Sequence, residues 1–133
     1  MFSNVKSNCL LFILLLIGGC DEDCILICPP VADEGELIIR VTIDQENLRV
    51  PVAIFSGDFE DGNVLINDTL STISNTYLFP PGEYSATSRY SHKNGTITII
   101  AVDGGEIYVR DESCETLSCA KMIALKLNLE LVE

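Results

Sequence analysis

The residues of this chain best suited to chemistry are its cysteines, because a thiol can be acylated, oxidised or bound to a metal. Six are present among 133 residues. Cys9 lies in an N-terminal apolar run and Cys20 follows it, and the other four form two close sets, Cys24 with Cys28 and Cys114 with Cys119. In an exported protein, an even number of cysteines predicts disulfide bonds, so these four are disulfide candidates.

Four cysteines allow three pairings, and the sequence leaves the choice open. An extended segment would hold Cys24 and Cys28 about 13 Å apart at ~3.3 Å per residue, so a local pair requires a turn. Pro29 and Pro30 are consistent with an irregular segment there, which slightly favours local pairs. Cross-pairing would instead join the N-terminal linker to the loop before the last strand. A four-cysteine zinc site is a weaker alternative, since the knuckle glycines are missing.

Few other side chains offer catalytic chemistry. The one histidine, His92, lies beside the hairpin signal at 93–95, where a histidine is usually solvated. A multi-histidine metal site is therefore not available, and a serine triad would depend wholly on His92. The acids of residues 57–62 could bind calcium, but their spacing is not that of an EF-hand. We therefore expect no enzymatic activity, no cofactor and no metal site.

The charge balance limits the partners. The chain has 8 basic and 20 acidic residues, for a formal net charge of −12. Lys6 is the only charge before Cys20, so a chain that begins at Cys20 is one unit more negative. Phosphate backbones and anionic lipid surfaces repel such a chain, so we expect no nucleic-acid partner.

The N-terminal segment has the order of a secretory signal. Lys6 precedes the apolar run 9–17, and Gly18 and Gly19 follow it. A positive flank, a short apolar core and a small-residue cleavage site are typical of such signals, and the run is shorter than the ~20 residues of a spanning helix. We predict a signal helix over residues 1–19, an acidic and proline-containing tether over 20–35, and one domain over 36–133.

The residues before Cys20 resemble a known processing site. Ile17-Gly18-Gly19-Cys20 is similar to the lipobox of bacterial lipoproteins, although Leu is commoner than Ile at the first position. The resemblance implies that Cys20 is the lipidation site, that cleavage follows Gly19, and that the new amino group is usually acylated too. Two or more acyl chains, such as palmitate, give stable membrane anchoring where a single chain does not.

Three acids directly after Cys20 bear on the location. Asp21-Glu22-Asp23 resembles the signal by which Bacteroidota export lipoproteins to the outer face of the outer membrane. In enteric bacteria, an Asp at this place instead tends to retain the protein at the inner membrane, facing the periplasm. The acids could also simply solvate a tether. Three successive acids exceed what retention requires, so we expect a lipid-anchored protein exposed at the cell surface.

A short motif in the mature chain also resembles a modification site. Asp68-Thr69-Leu70 is similar to the acceptor for O-glycans in Bacteroidota, which makes Thr69 an O-glycosylation candidate. Three-residue motifs are frequent by chance. A glycan at Thr69 would fit a surface protein.

Beyond the tether, the chain alternates as β-strands do. Residues 36–43 and 123–131 alternate most clearly between apolar and polar side chains, as half-buried strands do. Pro51 lacks an amide hydrogen, so we predict that its strand is an edge or contains a bulge. Turn signals separate the apolar segments at 57–58, 61–62, 80–82, 93–95 and 103–105. This pattern predicts an all-β fold, a small antiparallel β-sandwich of about seven or eight strands.

The order of these segments resembles one group of sandwiches. The strand 50–55, the corner 78–84, the Asn94-Gly95 hairpin and the strand 105–109 are similar to the prealbumin-like (transthyretin-like) sandwich of carboxypeptidase regulatory domains, which is Ig-like in layout. The likeness covers about residues 36–110. In that family a Pro-Gly-x-Tyr corner delivers its aromatic ring into the core, so burial of Tyr84 is implied. The family shares no catalytic residues and therefore implies no site.

These features together predict a lipid-anchored surface protein that acts as a non-catalytic binding or adhesion module for an unknown protein or glycan. Its ligand would lie on loops at one end of the sandwich, such as 57–63 and 91–95. The alternative is a structural accessory subunit of an envelope complex, where an exposed strand edge accepts a partner strand. An apolar patch on an exposed sheet face would favour the subunit, and acids or aromatics clustered on loop tips would favour the binding module.

Overall fold

The computed structural model of the chain describes residues 30–114 and 117–132, without the side chains of 113–118. The predicted signal helix, the lipobox and the acidic run lie outside the described residues. Contacts group residues 30–111 with residues 120–132 into one compact unit.

The fold is an all-β sandwich of eight strands within the described residues, as the alternation predicts. Three strands form one sheet, in the order β4-β1-β8, and five form the other, in the order β3-β2-β5-β6-β7. A short 3-10 helix, Phe59–Asp61, lies between β2 and β3. The strands are β1 (Gly35–Arg40), β2 (Val50–Ser56), β3 (Val64–Leu70), β4 (Ser74–Phe79), β5 (Gly82–His92), β6 (Ile97–Cys114), β7 (Leu117–Ile123) and β8 (Leu125–Asn128).

The core lies between the two sheets and takes alternate residues from each strand. In β2, Val50, Val52 and Ile54 are buried, while the residues between them are exposed or half-buried. Burial of apolar surface is the main stabilising contribution to such a fold. The buried apolar set is Leu37, Ile39, Val41, Val50, Val52, Ile54, Leu70, Tyr84, Ala86, Tyr90, Ile107, Leu127 and Leu129.

Two polar side chains of β5 cross this core and join the sheets. The fully buried hydroxyl of Tyr90 donates a hydrogen bond to the carbonyl oxygen of Leu129 and accepts one from the amide of Thr42, at 3.0 Å. Ser88 Oγ donates to the same carbonyl at 3.0 Å. Because Tyr90 and Ser88 are buried, these bonds fix the position of the last segment of the chain relative to β5.

The corner between β4 and β5 places Tyr84 in the core, as the resemblance to the prealbumin-like group implies. The chain turns at Pro80 and Pro81, and Tyr84 enters the core with its ring stacked on Phe79 at a centroid distance of 5.0 Å. The Tyr84 hydroxyl donates to the carbonyl oxygen of Pro80 at 2.6 Å. Burial raises the pKa of Tyr84. Delivery of this aromatic ring into the core is thus confirmed, while membership of the prealbumin-like group stays a prediction.

The predicted last strand is in fact two strands in different sheets. β7 ends at Ile123 in the five-stranded sheet, and β8 begins at Leu125 in the three-stranded sheet. β8 pairs with β1 in parallel. The pairs β1–β4, β2–β3, β2–β5 and β5–β6 are antiparallel. A continuous alternation does not reveal this break, because the apolar pattern runs on from Ile123 to Leu131, whereas the side chain that packs against the core is Met122 in β7 and Leu125 and Leu127 in β8.

The turn predicted at 103–105 is wrong, because β6 runs through it without a break. The two glycines serve close packing here. A Cβ on Gly105 would lie 2.5 Å from Leu125 Cδ1, and one on Gly104 would lie 3.2 Å from the carbonyl oxygen of Tyr84. Glycine in a strand often marks such a close approach.

Of the two alternatives predicted for the strand of Pro51, the edge is wrong and the bulge is confirmed. β2 lies inside the five-stranded sheet, between β3 and β5. Proline is tolerated because it is the second residue of β2, and the pairing with β5 begins only at Val52. The bulge in this strand lies between Ile54 and Phe55, away from the proline.

Candidate functional site

The predicted lipidation and disulfide residues are only partly described. Cys20, Cys24 and Cys28 lie outside the described residues. Cys114 is the last residue of β6, and its side chain is not described. Cys119 in β7 is half-buried and is not a free thiol. The pairing of the four cysteines therefore stays a prediction.

The two loops predicted to hold a ligand lie at opposite ends of the five-stranded sheet. The loop 57–63 follows β2, and the loop 91–95 lies at the end of β5. Since these strands are antiparallel, with Ser56 opposite Tyr84 and Val52 opposite Ser88, their C-terminal ends point in opposite directions. A single binding end built from both loops is therefore wrong.

His92 is exposed at the end of β5, opposite Ile97, and forms no hydrogen bond or ion pair with the described residues. No three His, Cys, Asp or Glu side chains in residues 30–114 and 117–132 lie together in a way that could hold a metal ion. The same residues contain no helix that is both long and apolar enough to cross a membrane.

Side chains that could bind a ligand lie together on a different surface. The outward face of the five-stranded sheet contains an open groove of about 640 Å³, which we call the outer groove. It is lined by residues of β2, β3, β5 and β6, and by Phe59 of the 3-10 helix. The lining residues are Arg49, Pro51, Val52, Ala53, Phe59, Asn67, Asp68, Thr69, Thr87, Ser88, Arg89 and Ile100.

Strand register arranges the outer groove in rows. One row crosses the sheet from Asn67 through Ala53 and Thr87 to Val102, each directly opposite the next. In the neighbouring row, Thr69 lies opposite Pro51, and Arg89 lies opposite Ile100. Directly opposed side chains in a sheet are near enough to act on one ligand.

The two arginines of the outer groove are exposed and uncommitted. Neither Arg49 nor Arg89 forms an ion pair or a hydrogen bond with the described residues, whereas Arg40 on the other sheet is paired with Glu130 at 2.9 Å. In a chain with so many acids, unpaired guanidinium groups on one face are unexpected from composition alone. Each offers a planar fork of donors suited to a carboxylate.

The neutral polar side chains of the outer groove are also uncommitted. The amide of Asn67 and the hydroxyls of Thr69 and Thr87 form no hydrogen bond with other described residues. Thr69, the predicted O-glycosylation residue, is exposed on β3, so a glycan attached there would lie over this groove. Its modification stays a prediction.

Phe59 separates this groove from an acidic depression on the same face. Its ring packs edge-on against Phe55 at a centroid distance of 6.5 Å. Asp58 accepts a hydrogen bond from the amide of Glu60, which fixes the start of the 3-10 helix. Beyond Phe59, four acidic residues line the second depression, Asp58, Glu83, Asp103 and Glu106, and the carboxylate of Asp103 accepts hydrogen bonds from the amides of Gly104 and Asn128.

The carboxylate of Asp68, in contrast, faces the edge of the sandwich. It accepts hydrogen bonds at 2.7 Å from the Tyr77 hydroxyl on β4 and from the Thr69 amide. These bonds hold the pKa of Asp68 below its ordinary value, while burial and the bond to Asp68 raise the pKa of Tyr77 to about 12. The bond therefore joins β3 to β4, the adjacent edges of the two sheets.

Sequence reasoning did not identify the outer groove. Arg49 and Arg89 are forty residues apart, and only the pairing of β2 with β5 brings their neighbourhoods together. The available signal was the alternation within 50–55 and 84–90, which places Pro51, Ala53 and Arg89 opposite to the core. That alternation gives the face of a residue but not the order of strands.

Comparison with known proteins finds no matching family model, no matching curated protein and no matching solved structure.

Proposed function

We propose that this chain is a lipid-anchored lipoprotein of the cell surface whose sandwich is a non-catalytic binding module. The lipobox resemblance at Ile17–Cys20 and the acidic run after it support the anchor and its location. The outer groove supports the binding role, and it replaces the two loops as the ligand surface in this proposal.

One observation carries the binding role. Side chains that folding does not require lie together on one exposed face: two unpaired arginines, three uncommitted polar groups and the apolar side chain of Ile100, which is 57% exposed. A lone exposed apolar residue needs no explanation, but a groove that mixes apolar and convergent polar groups is the usual form of a ligand site.

The alternative, a structural subunit of an envelope complex, has one feature in its favour. Ile100 and Val102 form an apolar strip on the exposed face of the sheet. Strand addition at β3 is disfavoured, however, because the bond between Asp68 and Tyr77 ties that edge to β4. Uncommitted arginines beside the strip favour a polar ligand over a second apolar surface.

The anchor is tested by Cys20→Ser in the full chain. We expect the wild-type protein to enter the detergent phase of a phase-partition assay and the variant to remain aqueous or unprocessed, since each buried CH₂ contributes about 0.8 kcal/mol. Cys24→Ser, four residues away, is the matched control and should partition as wild type. Acylation of the Cys20→Ser chain would contradict the anchor.

The location is tested by protease treatment of intact and lysed cells. A surface protein is digested in both, whereas a protein facing the periplasm is protected until lysis. Protection in intact cells would refute surface exposure and leave the inner-membrane alternative.

A further inference from the structure

We infer that the outer groove binds a carboxylate-bearing saccharide, such as an oligosaccharide of uronic acids. This inference rests on the proposed binding function and specifies its ligand. It follows from three properties of the groove: its unpaired guanidinium groups, its uncommitted hydroxyl and amide groups, and the fully paired backbone of β2 from Val52 to Ile54.

The charge of the ligand follows from the arginines. Arg49 and Arg89 line one groove, are exposed and have no acidic partner among the described residues. The only acid in the lining is Asp68, and its carboxylate is engaged by Tyr77 and the Thr69 amide. A guanidinium recognises a carboxylate through two parallel hydrogen bonds, so two of them select a ligand with spaced acidic groups.

The saccharide class follows from the remaining lining. From Val52 to Ile54 the backbone of β2 pairs with β3 on one side and with β5 on the other, so this part of the groove floor offers no main-chain groups to an extended peptide. Recognition must instead use side chains, and Asn67, Thr69 and Thr87 present an amide and two hydroxyls that match sugar hydroxyl groups. Pro51, Ala53 and the ring of Phe59 offer an apolar surface to the C–H face of a sugar ring.

The acidity of the whole chain opposes such a ligand at long range but not at contact. The formal net charge is −12, and exposed charges are screened beyond about 8 Å at physiological ionic strength. Whether an acidic ligand binds therefore depends on its contact with the two guanidinium groups. The acidic depression beyond Phe59 would repel the ligand and so limit its position to the side of the arginines.

The test uses the full lipidated chain in detergent micelles and titration calorimetry. The probe is an α-1,4-linked tetragalacturonate, and its fully methyl-esterified form is the matched neutral control with the same rings. We expect the acid to bind and the ester to bind at least about tenfold more weakly, since hydrogen bonds between charged groups are roughly twice as strong as neutral ones.

Variants assign the binding to the groove. Arg49→Gln and Arg89→Gln should each weaken binding of the acid by about tenfold, and the double variant should abolish it. Lys126→Gln removes an exposed cation from β8, on the other sheet, and should bind as wild type. Unchanged thermal unfolding of each variant shows that the fold is retained.

Three results would overturn the inference. These are equal binding of acid and ester, binding that survives loss of both arginines, and no binding of the acid at millimolar concentration. A hexa-aspartate peptide is included, and binding of this peptide without binding of tetragalacturonate would also refute the saccharide. Failure here leaves the anchor untouched, because Cys20→Ser tests that separately.

Discussion

The inner and outer faces of the five-stranded sheet use the same strands for different purposes. On the inner face, Ile54 and Tyr90 are completely buried and fill the core. On the outer face, Ala53 and Arg89 line the outer groove, and each is one residue away from one of these core residues. The core takes every second residue of β2, and of β5 from Ala86 to Tyr90, so the residues between them are available for binding.

The largest expected difference between the faces is in stability. Ile54→Ala leaves a cavity in the core and should lower the free energy of unfolding by about 3 kcal/mol, as large-to-small core substitutions do. Ile100→Ala on the outer face should change it by less than about 0.5 kcal/mol. Chemical denaturation of the full chain measures both, and similar losses would break the comparison.

A second effect concerns the polar bridge through the core. Tyr90→Phe removes the hydroxyl that donates to the Leu129 carbonyl and accepts from the Thr42 amide, which leaves that amide unpaired. We expect a loss of about 2 kcal/mol, the penalty for an unsatisfied buried group. Tyr108→Phe is the matched control, because Tyr108 is exposed, and it should be neutral. Equal stability of the two variants would contradict the role of the bridge.

A smaller effect depends on pH and involves the edge of the sheets. Since the pKa of Asp68 is lowered in the folded chain, its bond to Tyr77 stabilises above the ordinary value of 3.8 and is lost as the pH falls through the lowered value. The raised pKa of Tyr77 stabilises below 10.0, and this contribution is lost as the pH rises to about 12. Stability curves of wild type and Tyr77→Phe should therefore converge at both extremes. A constant difference across the pH range would show that the bond is not responsible.

The smallest expected effect on stability is at Thr69, where modification would change the outer face alone. Thr69→Ala should leave the free energy of unfolding within about 0.5 kcal/mol of wild type, because the side chain is exposed and forms no hydrogen bond. Mass spectrometry of the chain from its native host tests the O-glycan. A glycan at Thr69 would lie over the groove and take its hydroxyl from the groups available to a ligand.

Much of the fold was predictable from local patterns. Alternation in 36–43 predicted the buried residues Leu37, Ile39 and Val41, for which side-chain period is sufficient. Burial of Tyr84 was implied by the resemblance of the corner 78–84 to the prealbumin-like group, which also depends on residues close in sequence.

The errors concern contacts between distant residues. Gly104 and Gly105 were interpreted as a turn, but they admit Tyr84 and Leu125, which approach from other strands. The position of Pro51 inside the sheet depends on where β5 begins to pair. The outer groove depends on the same pairing of β2 with β5. Neither the candidate site nor the strand order could therefore be predicted from patterns of neighbouring residues.

The central claim is that the outer face is the binding surface of an anchored protein. Retention of intact cells that display the full chain on a tetragalacturonate-coated surface tests it most directly, with Ile100→Glu compared against Leu78→Glu. The two positions are matched, because they are 57% and 59% exposed and lie on different sheets. We predict that Ile100→Glu lowers retention at least about tenfold by adding a like charge to the groove, while Leu78→Glu has no effect. Equal retention of both variants, at the wild-type level or reduced alike, would contradict the claim.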